Sequence, residues 1–191
     1  MACDKAMWRK FVEERRLSGR KRTMFQPACI EIESQNYAAL IRDCSELGAG
    51  FEGDLHLKEG QPLRYRWGNE SFYDAVVTWV KGHRFGVEDL RGKYENSERK
   101  PFNYRSVRIP TSRAAEVYIR GIRESGELLN VSQRGFCVLL QDALEPGTLA
   151  TLKVGPNEIE AATLKWADGD RFGFIAPNPL RIEQMSALLA V

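Results

Sequence analysis

The chain has 191 residues, 43% of them hydrophobic and 28% charged, with a formal net charge of +2. This is the composition of a folded protein with room for one large domain or two small ones, and no stretch is apolar for long enough to cross a bilayer. Four cysteines, at 3, 29, 44 and 137, form no CxxC and no metal spacing, and two histidines, His56 and His83, leave little for a zinc site or a His-based relay.

The net charge hides a distribution. Residues 1–25 carry eight Lys/Arg against three Asp/Glu, or +5, and residues 91–113 carry seven against two, another +5, which leaves −8 for the remainder. Cations gathered into two short segments suit local capture of an anion better than a broad footprint for a nucleic-acid polymer. The opening "MACDKAMWRKF" lacks the apolar core of a signal peptide, so a cytoplasmic protein with reduced thiols is expected, two or three of them in the core.

In chain order, residues 4–15 place Trp8, Phe11 and Val12 on one helical face, with Asp4 as the cap, so residues 1–14 are read as a helix. The run "RRLSGRKR", Arg15 to Arg22, follows; its ordinary reading is a solvated tail, but it stands just before the first strand signal. Strand signals come as "ACIEI", then "AGFEGDL" after the turn "DCSELG", "PLRYRW" after Gly60, "DAVVTWV" and "RFGVEDL". The polar stretch "RGKYENSERKPFNYRS" reads as a linker. Then come "EVYI", "GFCVLL" after "NVSQRG", "LATLKV" after Gly147, "EAATLKW" and "RFGFIAP", and the closing "RIEQMSALLAV" is a C-terminal helix.

The second series repeats the first. "WVKGHRFGV" at 79–87 returns as "WADGDRFGF" at 166–174, and "DCSELG" at 43–48 as "NVSQRG" at 130–135; Gly60 faces Gly147 and Ile32 faces Ile119, always at an offset of 87. The expected fold is mainly β: two tandem small antiparallel β-barrels, at 15–92 and 106–191, joined by a basic linker at 93–105, with flanking N- and C-terminal helices. Trp79 could offer a stacking face near the barrel mouth, but because it recurs as Trp166 the core reading is preferred.

Asp43, Ser45 and Gly48 are by themselves the residues of a strand-connecting turn, with Gly48 supplying backbone freedom. Ser45 has no histidine near it in sequence and no GxSxG elbow, so it is not read as a nucleophile. Arg16 and Arg20 are spaced RxxxR, with Arg15 beside them, and the same copy supplies the Asp-x-Ser turn.

"RLSGR" at 16–20 followed by "DCSELG" at 43–48 resembles the PilZ domain, whose signature is RxxxR and then (D/N)xSxxG; the trailing "W…RFGV" fits as well. The resemblance runs over nearly the whole chain, once per copy. It implies six-stranded barrels, a mobile arginine-bearing arm at the barrel mouth, and cyclic di-GMP as ligand, bound as one molecule or as an intercalated dimer. Arg15, Arg16, Arg20, Asp43, Ser45 and Gly48 would then form the site. The chemistry agrees. Arginine forks onto guanine O6 and N7, stacks on bases and pairs with phosphate. A carboxylate such as Asp43 accepts from the N1–H and N2–H₂ edge.

The second copy departs from this pattern. It keeps Asn130, Ser132 and Gly135, but Arg16 and Arg20 map to Asn103 and Val107; Arg105 and Arg108 are the substitutes to hand. Barrel two is therefore expected to serve as a dimer surface, a protein-partner surface or a packing base, with those five residues as a secondary ligand set. The leading expectation is a receptor that changes shape on binding and relays the signal in motility, biofilm or polysaccharide control, with no reaction catalysed, no cofactor and no metal. The alternative is a protein-interaction adaptor of the same fold that binds no nucleotide. A single-strand RNA or DNA binder is disfavoured, because exposed aromatic patterning is not apparent.

Overall fold

The computed structural model describes residues 22–45, 47–90 and 106–190. The N-terminal helix, Arg15, Arg16 and Arg20, and the linker with Arg105 lie outside the described residues.

The first copy runs β1 (Arg22–Ile32), β2 (Gln35–Cys44), β3 (Gly48–Glu52), β4 (Pro62–Trp67), β5 (Tyr73–Lys81) and β6 (Arg84–Asp89). These six strands close antiparallel in the order β1-β2-β3-β6-β5-β4. The second copy runs β7 (Ile109–Ile119), β8 (Ile122–Ser132), β9 (Gly135–Leu139), β10 (Leu149–Val154), β11 (Asn157–Asp168) and β12 (Arg171–Ile175), and closes as β10-β11-β12-β9-β8-β7. Helix α1 (Ile182–Leu189) follows. Two closed six-stranded barrels are therefore present, as the resemblance to PilZ domains implies. Among the described residues no helix is long and apolar enough to cross a membrane.

The 87-residue offset holds at the level of individual hydrogen bonds. Gly60 and Gly147, at φ 82° and 90°, donate to the carbonyls of Val77 and Leu164 at 2.8 and 2.9 Å. Bulges between Thr23 and Gln26, Ile41 and Asp43, and Val77 and Trp79 return between Pro110 and Arg113, Leu128 and Asn130, and Leu164 and Trp166. Bulges bend and twist a strand, so both copies curve at these three corresponding places, and barrel two adds a further bulge between Ala150 and Leu152 that barrel one lacks.

The strand signals in the sequence missed β2 and β8. In β2, consecutive Ala38 and Ala39 are both buried: Ala39 faces the core of barrel one, while Ala38 packs with the core of barrel two. A strand buried on both faces has no alternation to read. In β8 the pattern is blurred by Gly126, where a Cβ would stand 2.5 Å from the Leu139 carbonyl oxygen.

Barrel one fills with Phe51 stacked on Phe85 at 5.2 Å, and with Tyr65 edge-on to Phe51 at 5.0 Å. Barrel two uses Phe136 on Phe174 at 5.3 Å. Met185, Leu188 and Leu189 of α1 are buried in a cluster that takes in Cys29 and Ala38 of barrel one. Ser186 Oγ donates to the Ala38 carbonyl at 3.5 Å, and Arg66 Nη2 donates to the Arg108 carbonyl at 2.5 Å. The barrels thus share apolar packing and two polar ties, with β2 as the seat of the helix.

Candidate functional site

The DxSxxG segment folds as a tight connection from β2 to β3. The Ser45 N–H donates to the Gly48 carbonyl at 2.9 Å, its hydroxyl donates to the same oxygen at 3.4 Å, and the Leu47 N–H donates to Ser45 Oγ at 3.3 Å. The hydroxyl replaces backbone partners that the turn leaves open. Gly48 has a different task from the one the sequence suggested. It shows no positive φ. A Cβ there would stand 2.0 Å from the Val87 carbonyl oxygen, so glycine is required for β3 to lie against β6.

One register line crosses four strands of barrel one. Asp43 on β2 faces Gly50 on β3, Gly50 faces Gly86 on β6, and Gly86 faces Trp79 on β5. Residues directly opposite one another project to the same side of a sheet. Two adjacent glycines therefore leave a floor without side chains of its own, onto which a carboxylate reaches from one end and an indole from the other. Both end groups lean inward: a Cβ on Gly50 would meet Asp43 Oδ1 at 3.0 Å, and one on Gly86 would meet Trp79 Nε1 at 2.0 Å. Glycines in a strand interior mark places where another group approaches the backbone closely.

This corrects the placement of the repeated tryptophans. Trp79 and Trp166 are each 40% exposed and belong to neither core. Each lies on the outer wall over the glycine opposite, Gly86 or Gly173. The repeated W…RFG pattern is a cross-strand aromatic-on-glycine contact, of the kind that covers a weak strand position.

A pocket of about 360 Å³ opens over this floor. Its lining comprises Thr23, Phe25, Phe51, Arg42 and Arg84 together with Asp43, Gly50 and Trp79. Its size lies at the lower end for small-ligand sites. Arg42 Nη1 pairs with Glu52 Oε2 at 2.7 Å, and Arg84 Nε lies 3.4 Å from the same oxygen. The Arg42 guanidinium also stands 4.6 Å from the centroid of the exposed Phe25 ring. The pocket thus offers two cations, one carboxylate at its edge and two aromatic faces, which suits a flat polar ring carrying negative charge.

Of the residues singled out in the sequence, Asp43 lines this pocket, while Ser45 and Gly48 form the β2–β3 turn that follows it and are not part of the lining. The sequence passed over Gly50, Gly86, Phe25, Arg42 and Arg84, and misplaced Trp79. A signal was present: at the 87 offset, Gly50 corresponds to Cys137 and Arg42 to Leu129, so the copies diverge at these two lining positions while Trp79 and Arg84 persist as Trp166 and Arg171.

Barrel two builds the same line from Asn130, Cys137, Gly173 and Trp166. Ser132 Oγ donates to the Gly135 carbonyl at 3.1 Å, so Asn130, Ser132 and Gly135 keep the turn. Cys137 now occupies half of the floor, and it is buried. Burial pushes its thiol above the ordinary range, against the opposing pull of Arg171 and Arg108. Arg108 itself is engaged at the junction, through its carbonyl, by Arg66.

No family model matches the chain, and no curated protein matches it. Among solved structures, the chain is similar to the PlzA protein of Borreliella burgdorferi in complex with c-di-GMP, with 10% identity, 88% of each chain covered and a TM-score of 0.37. It is similar also to the inhibitor of motility MotI/DgrA of Bacillus subtilis, with 14% identity, 87% of this chain and 93% of that one covered and a TM-score of 0.37. A third is the MrkH–c-di-GMP complex of K. pneumonia, with 12% identity, 96% and 90% covered and a TM-score of 0.32. At such scores the superpositions carry no weight of their own; the architecture rests on the strand ladders of this chain.

Proposed function

We propose that this protein is a cyclic di-GMP receptor whose ligand seats on the outer wall of barrel one. The register line from Asp43 through Gly50 and Gly86 to Trp79 supports this most directly. Glycine at both central rungs lets the indole lie low over Gly86 and the carboxylate close to Gly50, so a flat base can stack on the one while it bonds the other. Asp43 accepts from the guanine N1–H and N2–H₂ edge, and the exposed indole offers a stacking face. Arg15, Arg16 and Arg20 complete the site from the N-terminal side, where the arm leads into β1. Their forks suit guanine O6 and N7 and the phosphates.

No bond is made or broken in this reading. Binding favours one arrangement of arm and barrels over another, as differential affinity requires. Strand β2 provides a route outward, because it carries Asp43 near one end and the Ala38 seat of α1 five residues earlier. Barrel two then presents the signal to a protein partner or to a second copy of the chain, in the cytoplasm. The same barrel gives the adaptor reading its one point of support, since Cys137 and Leu129 replace Gly50 and Arg42 there.

The test is a calorimetric titration of the full chain and of Arg20→Ala with cyclic di-GMP. The variant is expected to bind at least about tenfold more weakly, as for loss of a charge-assisted contact. Equal affinity would remove the arm from the site. Absence of binding by the parent chain would favour the adaptor.

A further inference from the structure

We infer that Arg42 and Arg84, held on either side of the Glu52 carboxylate, form an anion seat that takes a phosphate of the bound nucleotide and confines binding to barrel one. The inference rests on the receptor reading above and adds to it a pair of arginines outside both the RxxxR arm and the DxSxxG turn.

Local geometry is the first ground. Neighbours in a regular strand point to opposite faces, yet Arg42 and Asp43 both line the pocket. The bulge between Ile41 and Asp43 makes this possible by inserting Arg42 as an extra residue and turning it toward the same side. Glu52 stands directly across β3–β6 from Arg84 and within 2.7 Å of Arg42, so one carboxylate oxygen holds both guanidiniums. With Asp43 also in the pocket lining, two guanidiniums meet two carboxylates, so what the pair offers an anion is directed N–H donors rather than an excess of charge. Both guanidinium side chains remain accessible, at 31% and 59% relative exposure, so an incoming phosphate can reach them. The Phe25 ring braces Arg42 from the far side.

Barrel two is the second ground, as an internal control. At the 87 offset Arg42 becomes Leu129 and Glu52 becomes Leu139, while Arg84 persists as Arg171. The bulge that presents Arg42 is present there too, between Leu128 and Asn130. The same barrel therefore closes without the ion pair, and a part-exposed pair contributes little stability in any case. What sets the pair apart is the pocket it faces, and barrel two, with leucines on that wall and Cys137 in the floor, lacks the means to seat a phosphate there.

On binding, each guanidinium exchanges the Glu52 oxygen for phosphate oxygens, a geometry that arginine forks match. Glu52 orients the pair and competes with the ligand. This separates direct contact from a bracing role. If the arginines touch phosphate, removing the competing charge tightens binding; if they only brace the wall, removing it loosens the wall.

The experiment titrates cyclic di-GMP into the full-length parent, the double variant Arg42→Leu/Glu52→Leu, which copies the barrel-two pair, and Glu52→Gln. The double variant is expected to keep its melting temperature within a few degrees and to lose at least about tenfold in affinity. Glu52→Gln is expected to bind a few-fold more tightly than the parent. Should the double variant fail to fold, Arg84→Leu, on the exposed side of the pair, carries the same expected loss. A double variant that binds within about twofold of the parent overturns the inference alone, and so does a Glu52→Gln variant that weakens binding. A parent chain that does not bind overturns the receptor reading and the inference with it.

Discussion

Gly48 lies so close to Val87 that a Cβ on it would stand 2.0 Å from the Val87 carbonyl oxygen, whereas the same addition at Gly86 would meet the side chain of Trp79. A carbonyl in a strand ladder cannot retreat without breaking the sheet, but an exposed indole can swing away. The two glycines of one wall should therefore fail differently. Gly48→Ala is expected to lower unfolding stability by about 3 kcal/mol, the upper part of the range for overpacking. Gly86→Ala should stay near the parent in urea denaturation, yet bind cyclic di-GMP at least about tenfold more weakly, because the indole leaves the floor. Equal stability losses in the two variants would contradict this division.

Asp43 should matter to the ligand more than to the fold. Asp43→Ala is expected to cost about 2 kcal/mol of binding free energy, that of a hydrogen bond to a charged acceptor. Asn130→Ala, its counterpart in barrel two, should leave the affinity unchanged within error. Calorimetry on both variants checks the contrast, and a loss at Asn130 as large as that at Asp43 would move the site or add a second one.

Helix α1 should carry stability for both barrels. Leu188 is 1% exposed, in the cluster that also holds Cys29 and Ala38 of barrel one. Leu188→Ala is expected to cost about 3 kcal/mol by leaving a cavity at the junction. Thermal unfolding followed by tryptophan fluorescence, to which Trp8 contributes along with Trp67 and Trp79 of barrel one and Trp166 of barrel two, should show an earlier transition for both barrels. A shift confined to barrel two would mean that the junction carries no coupling.

Alkali should unfold the protein through barrel one. Burial, then the Asp89 carboxylate, pushes the Tyr65 phenol far above its ordinary value, and its hydroxyl donates to Asp89 Oδ1 at 2.7 Å. Burial, then Glu70, pushes Tyr73 up to about 12. A phenol raised on folding contributes stability that is complete below the unfolded value of about 10 and is lost as the pH climbs through the folded value. The melting temperature is expected to hold through neutral pH and to fall from about pH 10 upward. Tyr65→Phe should flatten that fall, and an unchanged slope would exclude Tyr65 as its source.

The thiols give a simple check of packing. Burial pushes the Cys29 thiol up to about 12, with Arg66 only partly opposing, and Cys29 Sγ donates to Asn36 Oδ1 at 3.3 Å. The thiolate is the reactive species, so Cys29 should resist a disulfide reagent at pH 8 until the chain unfolds. Rapid native-state labelling of Cys29 would mean that the barrel junction opens.

The duplication, the β character, the C-terminal helix and the Asp43–Ser45–Gly48 turn could all be read along the chain, because each depends on residues close in sequence or on a fixed offset. Turn chemistry is local, and two copies of one unit repeat their punctuation. What only the tertiary structure decided is where strands meet. The line that brings Asp43, Gly50, Gly86 and Trp79 into one rung depends on ladder register, and three bulges in barrel one shift that register. Strand β2 escaped notice because Ala38 and Ala39 are buried on opposite faces, and Trp79 looked like core because both copies carry a tryptophan there and a large apolar ring laid over a glycine cannot be told from one inside a barrel by residue type. Arg42 came to face the pocket through a single extra residue, a matter of backbone geometry that no pattern of residue types along the chain expresses.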